Sequence, residues 1–96
     1  MSVYMIVDVK EVMDKDQYGE YIKKVPATIA RFGGKYLARG GDVSVVSGGW
    51  KPARLIIVEF ESMENFHSWY QSPEYRSVAP LRERSTRTNV IVVEGA

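Results

Sequence analysis

The chain contains no cysteine and a single histidine, His67. Without cysteine there is no disulfide, no thiolate nucleophile and no thiolate metal site, and the composition suits a reducing compartment. A lone histidine with no clustered carboxylates offers no zinc or iron site. Charge of one sign is also lacking. Thirteen Lys and Arg face twelve Asp and Glu, leaving a formal net charge of +1. A balance that small draws a protein neither to nucleic acid nor to an anionic membrane surface. No apolar run is long enough for a membrane span, and Met1–Lys10 lacks the pattern of a signal peptide. The expectation is a cytoplasmic protein whose partners include neither nucleic acid nor membrane. No glycine-rich phosphate loop, serine elbow or zinc motif occurs. Gly33-Gly34, Gly40-Gly41 and Gly48-Gly49 are turn pairs, and no cofactor is expected.

What is present is enough for one small domain, 1–96, with a single core: 45% of the residues are apolar. Val3–Val9 is rich in β-branched residues and reads as a strand. Asp14-Lys15-Asp16 can start a helix, and Tyr18, Tyr21, Ile22, Val25, Ile29 and Phe32 follow at helical spacing. Gly33-Gly34 suits a left-handed C-terminal cap. Pro26 predicts a kink or a split near Lys24, because proline removes a backbone donor inside the helix. Lys35–Arg39 predicts a short strand and Asp42–Ser47 a resumption of extended structure. Gly48–Pro52 reads as a loop, and Arg54–Phe60 is the strongest strand signal.

Ser62 is a predicted N-cap for a second helix carrying Met63, Phe66 and Tyr70. The segment Trp69–Tyr75, W-Y-Q-S-P-E-Y, stops that helix and starts another. Ser72 can cap it, Pro73 sits where a missing N–H costs nothing, and Glu74 places negative charge in the positive first turn. The inward-facing pattern Tyr75, Val78, Leu81 runs to about Pro80, Arg82–Arg87 is polar, and Asn89–Glu94 closes as a strand. The order is β-α-β-β-α-β, which predicts an α+β, ferredoxin-like protomer: a four-stranded antiparallel sheet with its helices on one face.

Period-two alternation then gives the sheet two greasy faces. Val3, Met5, Val7 and Ile56, Val58, Phe60 form all-apolar sets, expected to face the helices. Tyr4, Ile6, Asp8 and Leu55, Ile57, Glu59 form mixed sets on the opposite side. An open antiparallel sheet in a monomer should show one polar face. A bare apolar face is an association site, so a homodimer packed sheet to sheet is the expected partner state.

Several segments together resemble one family. Val25–Gly41 (V-P-A-T-I-A-R-F-G-G-K-Y-L-A-R-G-G), Val58–Phe60, Trp69–Tyr75, Pro80–Arg82 and the closing strand to Gly95 are similar to the domain-of-unknown-function family thirteen-thirty. That family lies in the dimeric α+β barrel superfamily. The resemblance covers about Val3 to Gly95 and implies a ferredoxin-like protomer and a two-fold dimer. The wider superfamily includes cofactor-free monooxygenases, muconolactone isomerases, haem-degrading enzymes and ligand-sensing domains. The family itself transfers no catalytic residue.

The candidate ligand-binding residues are Arg39, His67, Tyr70 and Tyr75. A guanidinium holds a carboxylate in bidentate fashion, and the glycines after Arg39 let backbone approach a ligand. Its plainer role is an ion pair with Asp42, Glu59 or a partner carboxylate. His67 can serve as a general base or haem ligand, although a histidine on the polar side of an amphipathic helix is more often just solvated. Asn65, His67 and Trp69 sit on one helix, not around a haem cavity. Tyr70 and Tyr75 flank the helix break, where aromatics can line a pocket or be plain core. Trp50 reads as a dimer contact, Asp8 and Glu59 as ion-pair members. Arg76, Arg82, Arg84 and Arg87 read as a solvated helix face. Two functions stay open. One is a small-molecule protein, as the superfamily implies a cofactor-independent oxygenase or isomerase of a small organic acid. The other is a non-catalytic dimeric ligand-sensing or assembly module.

Overall fold

Val3–Val12 forms β1, one of the two central strands, in a computed structural model that describes residues 1–96. Its odd-numbered residues Val3, Met5, Val7 and Val9 are buried under the helices, as alternation requires. The chain continues into α1 (Lys15–Arg31), β2 (Lys35–Arg39), β3 (Arg54–Phe60), α2 (Met63–Tyr70), α3 (Pro73–Ser85) and β4 (Thr86–Glu94). The sheet order is β2-β3-β1-β4, and every neighbouring pair is antiparallel. This is the ferredoxin-like arrangement, with the second crossover helix divided in two. No helix is long and apolar enough to cross a membrane.

Each helix begins where a side chain caps it. Asp14 accepts from the backbone N–H groups of Asp16 and Gln17, and Ser62 accepts from Asn65. Ser72 does two jobs. Its Oγ accepts from the Tyr75 N–H at 3.1 Å, capping α3, and donates to the Trp69 carbonyl at 2.7 Å, closing α2. The joint between α2 and α3 thus centres on one buried hydroxyl, and Arg76 Nε donates across it to the Tyr70 carbonyl at 2.9 Å. Around it pack Trp69 and Tyr75, with ring centroids 4.1 Å apart, and Phe60 and Phe66.

Three expectations are corrected. Pro26 does not split its helix: α1 runs unbroken from Lys15 to Arg31, anchored on both sides of the proline by buried Tyr18, Val25 and Ile29. The cost is local. A proline at 26 cannot donate to the Ile22 carbonyl four residues back, and that carbonyl is left to other donors. Pro80 likewise does not end α3, which continues to Ser85. Asp42–Ser47 is not a strand. β2 ends at Arg39, Gly40 turns the chain with φ +73°, and 42–47 forms no ladder with any strand.

The face assignment agrees with the structure. Val3, Met5, Val7, Ile56, Val58 and Phe60 all belong to the core beneath the helices. On the opposite face Ile91 and Val93, paired with Ile6 and Tyr4, are exposed. No helix covers that side. Trp50, from the loop between β2 and β3, reaches it: its indole N–H donates to Asp8 Oδ2 at 3.0 Å.

Candidate functional site

A cleft opens between the helices and the covered face of the sheet. Its floor is one row of residues across all four strands. Arg39 on β2 is registered with Ile56 on β3, Ile56 with Val7 on β1, and Val7 with Val90 on β4. α1 supplies the wall with Tyr18, Tyr21, Ile22, Val25 and Ile29, and α2 and α3 supply Trp69, Tyr70, Tyr75 and Arg82. Fourteen of the seventeen lining residues are hydrophobic, counting tyrosines. The open room is about 50 Å³, against the roughly 10–15 Å³ that admits one water. A few waters or a small organic fragment fit without rearrangement.

The three lining residues that are not hydrophobic are all arginines: Arg39, Arg54 and Arg82. None of them forms an ion pair. The three salt bridges of the protomer are Lys24–Glu20, Arg31–Glu74 and Arg87–Glu11, all away from the cleft. Arg54 lies on β3 in step with Ile56, Val58 and Phe60, so alternation turns it to the helix side. Its Nε donates to the Tyr18 hydroxyl at 3.1 Å. Gly40 lies against its guanidinium, where a Cβ would overlap it. Arg39 stands over the Tyr36 ring, 4.8 Å from its centroid. Its Nη2 approaches the Ile22 carbonyl at 3.5 Å, the carbonyl freed by Pro26. That distance is too long for a strong bond. Arg82 sits on α3, four residues after buried Val78 and seven after buried Tyr75. Five N–H donors per guanidinium leave most of this donor capacity unspent.

The tyrosines complete the polar lining. The Tyr21 and Tyr75 hydroxyls are 3.1 Å apart. Burial first, and then the neighbouring Tyr75 oxygen, push the Tyr21 hydroxyl far above the ordinary tyrosine range. It stays protonated, and either hydroxyl can donate to the other. Burial also raises Tyr36, with Arg39 pulling the other way. Burial opposes the charge on Arg82, but the Tyr75 and Tyr21 oxygens favour it and the net shift is upward. No carboxylate and no imidazole lines the cleft. The chemistry it offers is hydrogen-bond donation and positive charge around an apolar floor.

The structure therefore brings together Arg39, Tyr70 and Tyr75 of the four sequence candidates. His67 is exposed on α2, its ring against the edge of Phe66, and does not line the cleft. Arg39 pairs with none of Asp42, Glu59 or any other carboxylate of its own chain. Asp8 is bound to Trp50, not to an arginine, and Trp50 remains 61% exposed. Of the basic set near the C-terminus, Arg76 stacks on Tyr70 and Arg87 pairs with Glu11, while Arg82 turns inward. Arg54, Arg82, Tyr18, Tyr21 and Tyr36 were not among the four. The signals for the two arginines are the strand alternation from Arg54 to Phe60 and the helical stripe Tyr75, Val78, Ala79, Arg82.

The family described as "Domain of unknown function (DUF1330)" matches residues 2–96. No curated protein matches the chain. Among solved structures, a protein of unknown function from Rhodopseudomonas palustris superposes with a TM-score of 0.79 at 19% identity, over 99% of this chain and 82% of that one. A dimeric ferredoxin-like protein of unknown function from Jannaschia sp. CCS1 gives 0.79 at 12% identity, over 99% and 100%. Another dimeric ferredoxin-like protein of unknown function, from Thermobifida fusca YX, gives 0.68 at 14%, over 97% and 90%. At these identities the likeness is one of fold.

Proposed function

The chain belongs to the DUF1330 family, and from the cleft of this member we propose that it binds a small organic acid between its helices and its sheet. The observation that carries this is the set of three unpaired arginines on one apolar cavity. Arg54 and Arg82 are half-buried with no carboxylate beside them, and an anion entering the cleft would meet their charge in a partly desolvated setting. A planar carboxylate matches their forked donors, and the tyrosine hydroxyls add donors for a second oxygen. With no carboxylate or imidazole at hand, the polar groups of the cleft are suited to hold and orient the acid. Proton transfer would fall to the tyrosine hydroxyls.

Thermal-shift and calorimetric titration with benzoate and hexanoate tests the reading. Arg54→Ala and Arg82→Ala are expected to weaken binding at least tenfold, and His67→Ala to leave it unchanged. Binding that survives both arginine substitutions would overturn it, as would no response to either acid.

The protein is further proposed to act as a homodimer through the uncovered sheet face. Ile91, Val93 and Leu37 are 60%, 48% and 51% exposed, and two of the structural neighbours are described as dimeric. Light scattering should return twice the protomer mass, falling to one protomer for Ile91→Asp. A monomeric wild type at micromolar concentration would exclude this.

A further inference from the structure

The cleft is rich in hydrogen-bond donors and poor in acceptors. Its polar side chains are the arginines, the tyrosines and Trp69; no carboxylate, amide, imidazole, serine or threonine lines it. Guanidinium and indole groups donate and do not accept, and the Trp69 indole is already bound to Thr28. The side-chain acceptors are therefore the tyrosine oxygens, and these are partly engaged within the protein. Tyr18 Oη accepts from Arg54 Nε at 3.1 Å, and the Tyr21 and Tyr75 hydroxyls share one bond. The Ile22 carbonyl, at the rim, faces the Arg39 guanidinium.

Tyr18 is the clearest case. It is 7% exposed, and the bond from Arg54 is the one its hydroxyl makes. Its oxygen serves the arginine, while its own O–H proton has no acceptor in the protein. The Tyr21–Tyr75 pair also leaves one proton over, whichever way its bond runs. A buried donor without an acceptor is costly, so a guest that fits this lining brings acceptors and no donors of its own. The Arg54 and Tyr18 donors adjoin, since the two atoms that join them are 3.1 Å apart. Two acceptors that meet the remaining Arg54 N–H groups and the Tyr18 proton are then neighbours in the ligand. A carboxylate with a carbonyl on the next carbon has that arrangement. We propose, on the premise that the cleft binds an organic acid, that the acid is a 2-oxo acid. Arg54 and Arg82 take its carboxylate, and the Tyr18 O–H donates to its keto oxygen. The tail lies on the apolar floor of Ile56 and Val7. The same lining disfavours the reduced and aminated analogues. A 2-hydroxy acid carries a proton of its own to a place short of acceptors, and a 2-amino acid sets an ammonium beside like charges.

Four six-carbon acids that differ only at the second carbon test this by calorimetry on the intact protein: hexanoate, 2-oxohexanoate, 2-hydroxyhexanoate and 2-aminohexanoate. 2-Oxohexanoate is expected to bind about tenfold tighter than hexanoate, the effect of one added hydrogen bond in a shielded site. The 2-hydroxy acid should bind several-fold weaker than the 2-oxo acid, and the 2-amino acid about a hundredfold weaker or less. Tyr18→Phe keeps the ring and removes the proton, so the ratio of 2-oxohexanoate to hexanoate affinity should fall to about one. Circular dichroism confirms that this variant is folded; if it is not, the wild-type series decides alone. Arg54→Ala and Arg82→Ala should weaken hexanoate and 2-oxohexanoate together. Equal affinity of the wild type for hexanoate and 2-oxohexanoate overturns the 2-oxo assignment and leaves the organic-acid reading standing. So does tighter binding of the 2-hydroxy or 2-amino acid, and so does a 2-oxo preference that survives in folded Tyr18→Phe. Failure of benzoate, hexanoate and 2-oxohexanoate alike to bind overturns both.

Discussion

On the covered face of the sheet Val3, Met5, Val58 and Phe60 are at most 4% exposed, while on the opposite face Ile91 and Val93 are 60% and 48% exposed. The two faces are built from the same β-branched and aliphatic residues, often from adjacent positions of one strand. What separates them is the cover. Where α1, α2 and α3 lie, apolar side chains become core, and the gap left among them becomes a cleft whose only charged groups are three arginines. Where nothing lies except Trp50 and its loop, the same residue types remain a surface. Hydrophobic content thus locates the sheet, but the polar residues on each face distinguish a cavity from an interface. The covered side has cations without partners. The bare side has Asp8 satisfied by Trp50 and Glu59 opposite Lys35.

Substitutions can test how unequal the faces are. The largest effect is expected at Trp69, 1% exposed and bonded through its indole N–H to Thr28 at 3.0 Å. Trp69→Ala should cost about 3–5 kcal/mol, read as a fall in Tm of tens of degrees, since each kcal/mol shifts a domain of this size by roughly 4–8 °C. Ile91→Ala on the bare face should change the unfolding free energy of the protomer by no more than about 0.5 kcal/mol. Equal losses at the two positions in denaturant titration would erase the distinction. Next is Ser72→Ala. It removes a cap worth about 1 kcal/mol and one of two donors to the Trp69 carbonyl, which keeps the Ser72 backbone N–H, so about 1–2 kcal/mol in all is expected. Gly40→Ala should cost about 1–2 kcal/mol for the left-handed backbone. By displacing the Arg54 guanidinium it should also weaken acid binding, which Ile91→Ala should not. The smallest effect belongs to neither face. Asp14 caps α1, and its bonds from Gln17 first, opposed slightly by desolvation, hold its carboxyl below the ordinary 3.8. A depressed folded pKa contributes stability that is complete above the unfolded value and lost as pH falls through the folded one. Between about pH 5 and 2 the wild type should lose slightly more stability than Asp14→Asn, as followed by melting curves.

Much of this was legible in the chain. Ser62 and Ser72 marked both later helix starts, and alternation sorted Val3–Val9 and Arg54–Phe60 onto the right faces. Pro26 misled because a proline rule is local, whereas Tyr18, Val25 and Ile29 hold the helix to the sheet on both sides of the break. Asp42–Ser47 has strand-forming residues, but Gly40 turns the chain away with φ +73° and the segment pairs with neither free sheet edge, that of β2 or that of β4. The cleft was half legible. Arg39, Tyr70 and Tyr75 could be named from their neighbours, yet Arg54 and Arg82 were in plain sight on buried stripes. A cation at a core-facing position is easily assigned to the solvated side, because in most proteins long charged chains escape there. Here it is the absence of any carboxylate near them in three dimensions that distinguishes them, and no spacing in the sequence reports that.

The Ser72 hydroxyl has one more consequence. Because it is bonded to both helices, and the tilted rings of Trp69 and Tyr75 pack beside it, α2 and α3 are tied firmly to each other. The opposite rim is loosely tied: Arg39 is exposed, its one contact to α1 is 3.5 Å long, and an irregular stretch follows from Gly40 to Ala53. The cleft therefore has a fixed jaw and a free one. Room for a guest larger than the resting space would come from the Arg39 side chain turning out into solvent, while β2 stays laddered to β3 and the aromatic joint stays put.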